Sequence, residues 1–209
     1  MRVLLVDDHI AMRRGVQMIL QDEFPEIEIS EAGDSRAALD AVCAGPPDVV
    51  LCDINLPGRN GIDLLKEIKA AQPNLPVLML SMHPEEEYAM RALKAGAAGY
   101  LTKDSEPEEL LNAIRAALAG RKYITAKLAE QLAAAVTQPA DKKPHERLSD
   151  REFEVFRMLA AGREVKEVAA ALGLSVKTIS THRENILRKM QLKNNAALTV
   201  YAVRSGLME

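Results

Sequence analysis

The chain has 209 residues, enough for one large domain or two small ones. Hydrophobic residues make up 48% and charged residues 27%, which excludes a disordered chain. Net charge is -9 over residues 1–120 and +3 over each of 121–147 and 148–209, so an acidic front and a mildly basic back predict two domains with different partners. No apolar run reaches the ~18–20 residues of a membrane helix. The opening MRVLLVDDH turns acidic too early for a secretory signal. Together these predict a cytoplasmic protein without a membrane partner, its cysteines, Cys43 and Cys52, buried as thiols.

In chain order, short apolar runs at 2–6, 27–32, 48–52, 76–80 and 98–102 read as strands. Helical patterns at about 9–21, 34–44, 61–71, 84–95 and 106–119 separate them. Runs without strict alternation fit strands buried on both faces, and the β-α repeat predicts a doubly wound, five-stranded parallel sheet. Ser105 with Glu108 reads as a capping box for the fifth helix, and His9 as the start of the first. Residues 121–147 hold a short helix, with Leu128, Leu132 and Val136 on one face, and then a linker with two prolines.

Residues 148–209 read as a small all-α domain. Ser149 and Glu152 form a capping box, Leu148 and Phe153 a hydrophobic staple, and Gly162 ends that helix. A helix at 164–172 and another at 176–190, joined by a Gly turn and capped by Ser175, fit a helix-turn-helix. A last helix is predicted at 194–205.

In a doubly wound sheet, ligands bind beyond the carboxyl ends of the strands. There the sequence places Asp7 and Asp8 after strand one, Asp53 after strand three, Ser81 after strand four and Lys103 beyond strand five. Crowded carboxylates stay ionised only if a cation offsets them, and oxygen-only ligands suit Mg²⁺. Carboxylates, a divalent metal, a lysine and a hydroxyl make an apparatus for phosphoryl transfer onto Asp53. His83 falls next to this site as a loop residue with an influence on dephosphorylation.

The acidic pair at 7–8, the D-x-x-x-P-x-x-x-G stretch from Asp53 to Gly61, Ser81, and GYLTK at 99–103 resemble the receiver domain of two-component response regulators, a flavodoxin-like fold, over about 1–120. The resemblance implies that Asp53 is the phosphoacceptor, with Lys103 and Ser81 assisting. It implies Mg²⁺ ligation by Asp8, Asp53 and the Asn55 carbonyl, with Asp7 acting through water. Tyr100 would be the aromatic switch residue, and the donor a sensor histidine kinase.

Residues 148–208 resemble the LuxR-type DNA-binding domain of the NarL/FixJ family, through L-S-x-R-E-x-E-V, K-E-V-A-x-x-L and S-x-K-T-I-S-x-H. The I-S-T-H form, with Ser180 and Glu184 where many members carry basic residues, is similar to the branch that includes BvgA and GacA. Lys177, Thr178, Ser180, Thr181, His182 and Arg188 are the expected DNA-binding residues, in a helix that enters the major groove of double-stranded DNA.

The reading is therefore a phosphorylation-controlled transcription factor, not an enzyme beyond its own phosphorylation and dephosphorylation, that forms a homodimer when phosphorylated. Two rivals are a Mg²⁺-dependent phosphohydrolase on a similar sheet and a receiver whose tail binds protein or RNA. The first lacks a general acid beside Asp53 and leaves residues 148–209 unexplained.

Overall fold

A computed structural model of the protein describes residues 1–137 and 143–208. The chain divides into two compact units, Met1–Ala133 and Ala134–Glu209. In the first, strands β1 (Arg2–Val6), β2 (Glu28–Ala32), β3 (Val49–Asp53), β4 (Val77–Ser81) and β5 (Gly99–Thr102) form one sheet in the order β2-β1-β3-β4-β5. Every pairing is parallel, as the β-α repeat predicts.

Strands β3 and β4 are buried at all five positions. Strand β2, at the sheet's edge, exposes Glu28, Ser30 and Glu31 fully or in part, the kind of charged edge that discourages pairing with another chain. Helices α1 (Ile10–Glu23), α2 (Ser35–Ala44), α3 (Gly61–Ala71), α4 (Glu85–Lys94) and α5 (Pro107–Leu118) alternate with the strands. Val16 and Leu20 of α1 and Leu110, Ala113 and Ile114 of α5 pack with Val3, Leu5, Val49, Leu51, Leu78 and Leu80 of the sheet.

Register places the polar strand ends. Val6 pairs with Cys52, so Asp7 and Asp53 emerge side by side at the point where the strand order reverses. Ser81 pairs with Thr102, which brings Lys103 to the same edge. Gly61 is needed here because a Cβ on it would lie 2.0 Å from the Asp53 carbonyl oxygen. That backbone is where α3 begins, with the buried Asn60 as N-cap accepting from Ile62 N–H.

Two expectations are corrected. Helix α5 does not start from a Ser105 capping box: Glu106 is the N-cap, without a side-chain cap bond, and Ser105 instead pairs with the Thr102 hydroxyl. Pro107 is the cause, since it suits the first helical position and holds the preceding residue extended. Cys43 is exposed on α2; only Cys52 is buried. Helix α6 (Ala126–Thr137) follows, with Leu128 buried. The predicted role of the Val136 side chain and linker residues 138–142 lie outside the described residues.

The second unit contains a 3₁₀ turn (Pro144–Arg147), α7 (Asp150–Ala160), α8 (Val165–Ala171), α9 (Val176–Met190) and α10 (Asn195–Arg204). The Ser149–Glu152 capping box forms, and Leu148 and Phe153 are buried. Gly162 follows α7 at φ 84°, a left-handed conformation that favours glycine. Phe153, Phe156 and Leu159 of α7 share the unit's buried set with Ile179, Ile186 and Met190 of α9 and Leu198 of α10.

Candidate functional site

At the carboxyl edge of the sheet, Lys103 Nζ lies 2.7 Å from Asp53 Oδ2 and 2.7 Å from Asp7 Oδ2. The Asp53 contact is aligned as a hydrogen bond; the Asp7 contact is charge pairing without that alignment. Asp53 is 1% exposed, and its Oδ1 accepts from Asn55 N–H at 3.1 Å. Burial pushes the Asp53 carboxyl above the ordinary aspartate range, opposed by Lys103 and the Asn55 N–H. Burial also works against the Lys103 ammonium, but its two carboxylate partners outweigh this and hold it above the usual lysine range. The neighbouring Cys52 thiol is pushed far above its normal value, first by burial and then by Asp53 and Asp7, so it stays protonated and inert.

Carboxylate oxygens of Asp7, Asp8 and Asp53 and a ring nitrogen of His9 lie within 4.8 Å of one another. Three carboxylates thus converge, and one lysine pairs with two of them. The remaining negative charge and the hard oxygen donors fit a cation such as Mg²⁺ better than a softer metal. Asn55 Oδ1 is buried without a hydrogen-bond partner and adds an open acceptor beside them.

Ser81 and Tyr100, both expected at this edge, converge on one residue, His83. His83 N–H donates to Ser81 Oγ at 3.0 Å, and the Tyr100 hydroxyl donates to the His83 carbonyl at 2.7 Å. Tyr100 is buried, its ring in the core. His83 also stands 3.4 Å from the Asn55 amide and stacks on Tyr88, with ring centroids 5.2 Å apart.

In the second unit, α9 carries the other predicted set. Lys177, Thr181, Glu184 and Arg188 are exposed, whereas Ile179, Ile186 and Met190 are buried. Ser175 caps the helix through Thr178 N–H. The Ser180 and Thr181 hydroxyls donate to the carbonyls of Val176 and Lys177, at 2.9 and 3.1 Å. Their protons are therefore committed to the helix, and their lone pairs face outward as acceptors. Arg188 bonds Asn185, not Glu184. His182 is half-buried; burial lowers its pKa, with Glu152, Arg151 and Lys189 close enough to act on it.

Two residues at the acidic edge carry more than the sequence indicated. His9 is the α1 N-cap, as expected, but its ring also sits 3.2 Å from Asp7 Oδ1 and 2.8 Å from Asp8 Oδ1. Arg13 reaches the Asp7 carbonyl from α1. Its signal was an arginine three residues before Val16 and seven before Leu20, on the stripe of α1 that is buried.

Comparison with known proteins matches both units. The family described as "Response regulator receiver domain" matches residues 3–115, and "Bacterial regulatory proteins, luxR family" matches residues 146–202. The chain is 34% identical to response regulator UvrY of Escherichia coli K12 over 206 residues, covering 98% of this chain and 94% of that protein. It is 34% identical to response regulator GacA of Pseudomonas aeruginosa over 209 residues, covering 100% of this chain and 98% of that protein. Among solved structures, RcsB from Salmonella enterica serovar Typhimurium, bound to the promoter rprA with the phosphomimetic BeF3-, is similar with a TM-score of 0.64 at 28% identity, covering 97% of this chain and 98% of that one.

Proposed function

The chain belongs to the response-regulator family, a receiver joined to a LuxR-type DNA-binding domain acting as a two-component transcription regulator, and from that premise we propose that phosphorylation of Asp53 controls its binding to double-stranded DNA. The observation that carries this is the paired contact of Lys103 with Asp53 and Asp7, at 2.7 Å each, on the strand ends of a chain that also carries a capped helix-turn-helix.

The proposed reaction uses this site. An Asp53 carboxylate oxygen attacks the phosphorus of a phosphohistidine on a sensor histidine kinase; the new P–O bond forms as the P–N bond breaks, and the imidazole leaves with the electron pair. Lys103 and the Asn55 N–H oppose the rise that burial imposes on the Asp53 carboxyl. Asp8, Asp53 and the Asn55 carbonyl would hold Mg²⁺, with Asp7 assisting through water; the ion supplies charge neutralisation on the phosphoryl oxygens. Lys103 then takes a second of these oxygens. Ser81, whose lone pair already accepts from His83 N–H, has its own proton for a third.

The phosphoryl group adds charge and acceptors beside the peptide that Ser81 and Tyr100 grip, which supplies the differential interaction a two-state switch needs. A homodimer places two α9 helices on one duplex. On α9, Lys177 and Arg188 hold phosphates, and Thr178, Ser180 and Thr181 lie along the base edges; His182 stands behind them at the α7 side. No helix among the described residues is long and apolar enough to cross a membrane. The proposed place of work is the cytoplasm, and the proposed chemistry is limited to the protein's own phosphorylation and dephosphorylation. The test is labelling by acetyl phosphate with Mg²⁺, followed by selection of bound DNA from a random pool. Labelling at Asp53 with tighter selection supports the reading; labelling that persists in Asp53→Asn, or no DNA preference in either state, overturns it.

A further inference from the structure

Arg13 makes two contacts from the first turn of α1. Its Nη1 donates to the Asp7 carbonyl at 2.6 Å, and its Nε donates to a Glu31 carboxylate oxygen at 2.5 Å. Its side chain is 14% exposed, although it is an arginine on a surface helix. Glu31 belongs to β2, and the Asp7 N–H donates to Ala32 O, at the end of the same strand. Both backbone groups of Asp7 are therefore tied to the end of β2, one directly and one through the guanidinium.

The Asp7 side chain is committed as well. Its Oδ1 accepts from His9 N–H at 2.8 Å, and its Oδ2 faces Lys103. Asp8 is less constrained: its side chain is 37% exposed, next to His9. Asp8 is held by the His9 ring, 2.8 Å from its Oδ1, and through the backbone of Asp7 to which it is joined. Asp7, Met12 and Arg13 also line, with core residues, a cavity of about 10 Å³, at the lower limit for a single water.

The electrostatics make such a tie necessary. Asp7, Asp8 and Asp53 repel one another, and Lys103 neutralises only part of their charge. Before a cation arrives, the exposed Asp8 has every reason to swing toward solvent. A planar guanidinium can hold a carbonyl and a carboxylate at once in fixed geometry, which an ammonium does less well. We propose that Arg13, anchored by Glu31, is a positioning residue of the cation site: it holds the Asp7–Asp8 peptide so that the carboxylates stay converged before Mg²⁺ binds. This rests on the reading of the acidic edge as a Mg²⁺ site.

Positioning and plain charge predict opposite signs. Arg13 is a cation near a cation site, so on charge alone its removal should tighten metal binding. If it acts by positioning, removal should weaken binding despite the favourable change in charge. The experiment is titration of the full-length protein with Mn²⁺, a spin-active probe of the Mg²⁺ site, counting free ion by electron paramagnetic resonance. Arg13→Met is expected to weaken Mn²⁺ binding roughly tenfold, the usual scale for losing a partner that orients metal ligands. Arg13→Lys, which keeps the charge and most of the packing, should fall between Arg13→Met and the parent, and it stands in if Arg13→Met does not fold. Asp8→Asn is the control. If it binds Mn²⁺ like the parent, the Mg²⁺ reading itself fails. If Asp8→Asn is impaired while Arg13→Met, or Arg13→Lys in its place, binds as well as the parent or better, the role of Arg13 is overturned.

Discussion

The Tyr100 hydroxyl donates to the His83 carbonyl, and the N–H of the same His83 residue donates to Ser81 Oγ. One peptide segment after β4 is thereby held at both ends, by a hydroxyl proposed to bind the phosphoryl group and by a buried aromatic ring. Any movement of Ser81 toward a phosphate alters the segment that Tyr100 holds. Tyr100→Phe keeps the ring and deletes the hydroxyl's bonds to the His83 and Pro84 carbonyls, at a cost of about 1 kcal/mol. Labelling of Asp53 by acetyl phosphate should be retained, while the gain in DNA affinity on phosphorylation should shrink. An electrophoretic shift assay with and without phosphodonor reads the difference; an unchanged gain would show that the hydroxyl is not part of the switch.

Asp53→Asn separates chemistry from folding. The substitution removes the nucleophile, so phosphorylation should be lost entirely. It also removes a buried charge that burial already disfavours, and Lys103 keeps Asp7 as its partner. In cation-free buffer the thermal midpoint should rise by a few degrees, the ~2–4 °C that about 1 kcal/mol produces in a chain of this size. Differential scanning calorimetry measures it. A fall in the midpoint would mean that the Lys103 pair outweighs the burial of Asp53.

Much of this site was legible because the point at which a buried strand ends is a local property of the sequence. A run such as DVVLC can be buried on both faces only as a central strand, and the residue after it must then emerge at the carboxyl edge. Asp53, Asp7 and Lys103 were placed by that argument alone, and the structure brings them within 2.7 Å contacts. Arg13 and His9 were not, because their contacts run from a helix to a peptide carbonyl and to neighbouring carboxylates, and residue spacing does not encode such geometry. The α5 start was misjudged for a related reason: Ser105 and Glu108 have the right spacing for a capping box, but Pro107 fixes the backbone first. On α9, the exposed stripe was readable from helical period, whereas the back-bonding of Ser180 and Thr181 depends on rotamers.

The Glu152 carboxylate predicts the acid response of the DNA-binding unit. It is buried, which raises its pKa, but Lys189 at 2.5 Å and the Ser149 N–H outweigh burial and bring the value below the ordinary 4.5. A depressed folded-state value means that its contribution is fully present above the unfolded value and is lost as pH falls through the folded one. Glu152→Gln should therefore destabilise α7 by about 1 kcal/mol at pH 7, and the gap between variant and parent should close under acid. Hydrogen exchange of the α7 amides in the full-length chain, at pH 7 and near pH 3, tests this. A gap that stays constant would assign the effect to capping geometry and not to the charge.

The exposed face of α9 yields the sharpest prediction about recognition. Lys177 is an exposed cation in the first turn, suited to a phosphate. Lys177→Ala should weaken binding to all sequences alike and lower the slope of log affinity against log salt by about 1. Thr181 is different, because its proton is committed to the Lys177 carbonyl. Its oxygen can only accept, so among base edges in the major groove it suits the amine of cytosine or adenine. Thr181→Val keeps the shape and removes the acceptor. It should relax preference at one base position by about 1 kcal/mol, the low end for a single contact, without changing the salt slope. Glu184, also exposed and accept-only, should behave the same way in Glu184→Met, which keeps the length and removes the acceptor, at a neighbouring position, with a modest rise in overall affinity as a repulsive charge is lost. Binding to a panel of operator variants at several salt concentrations distinguishes the three patterns. If all three variants match the parent in affinity, salt slope and base preference, α9 does not read the DNA.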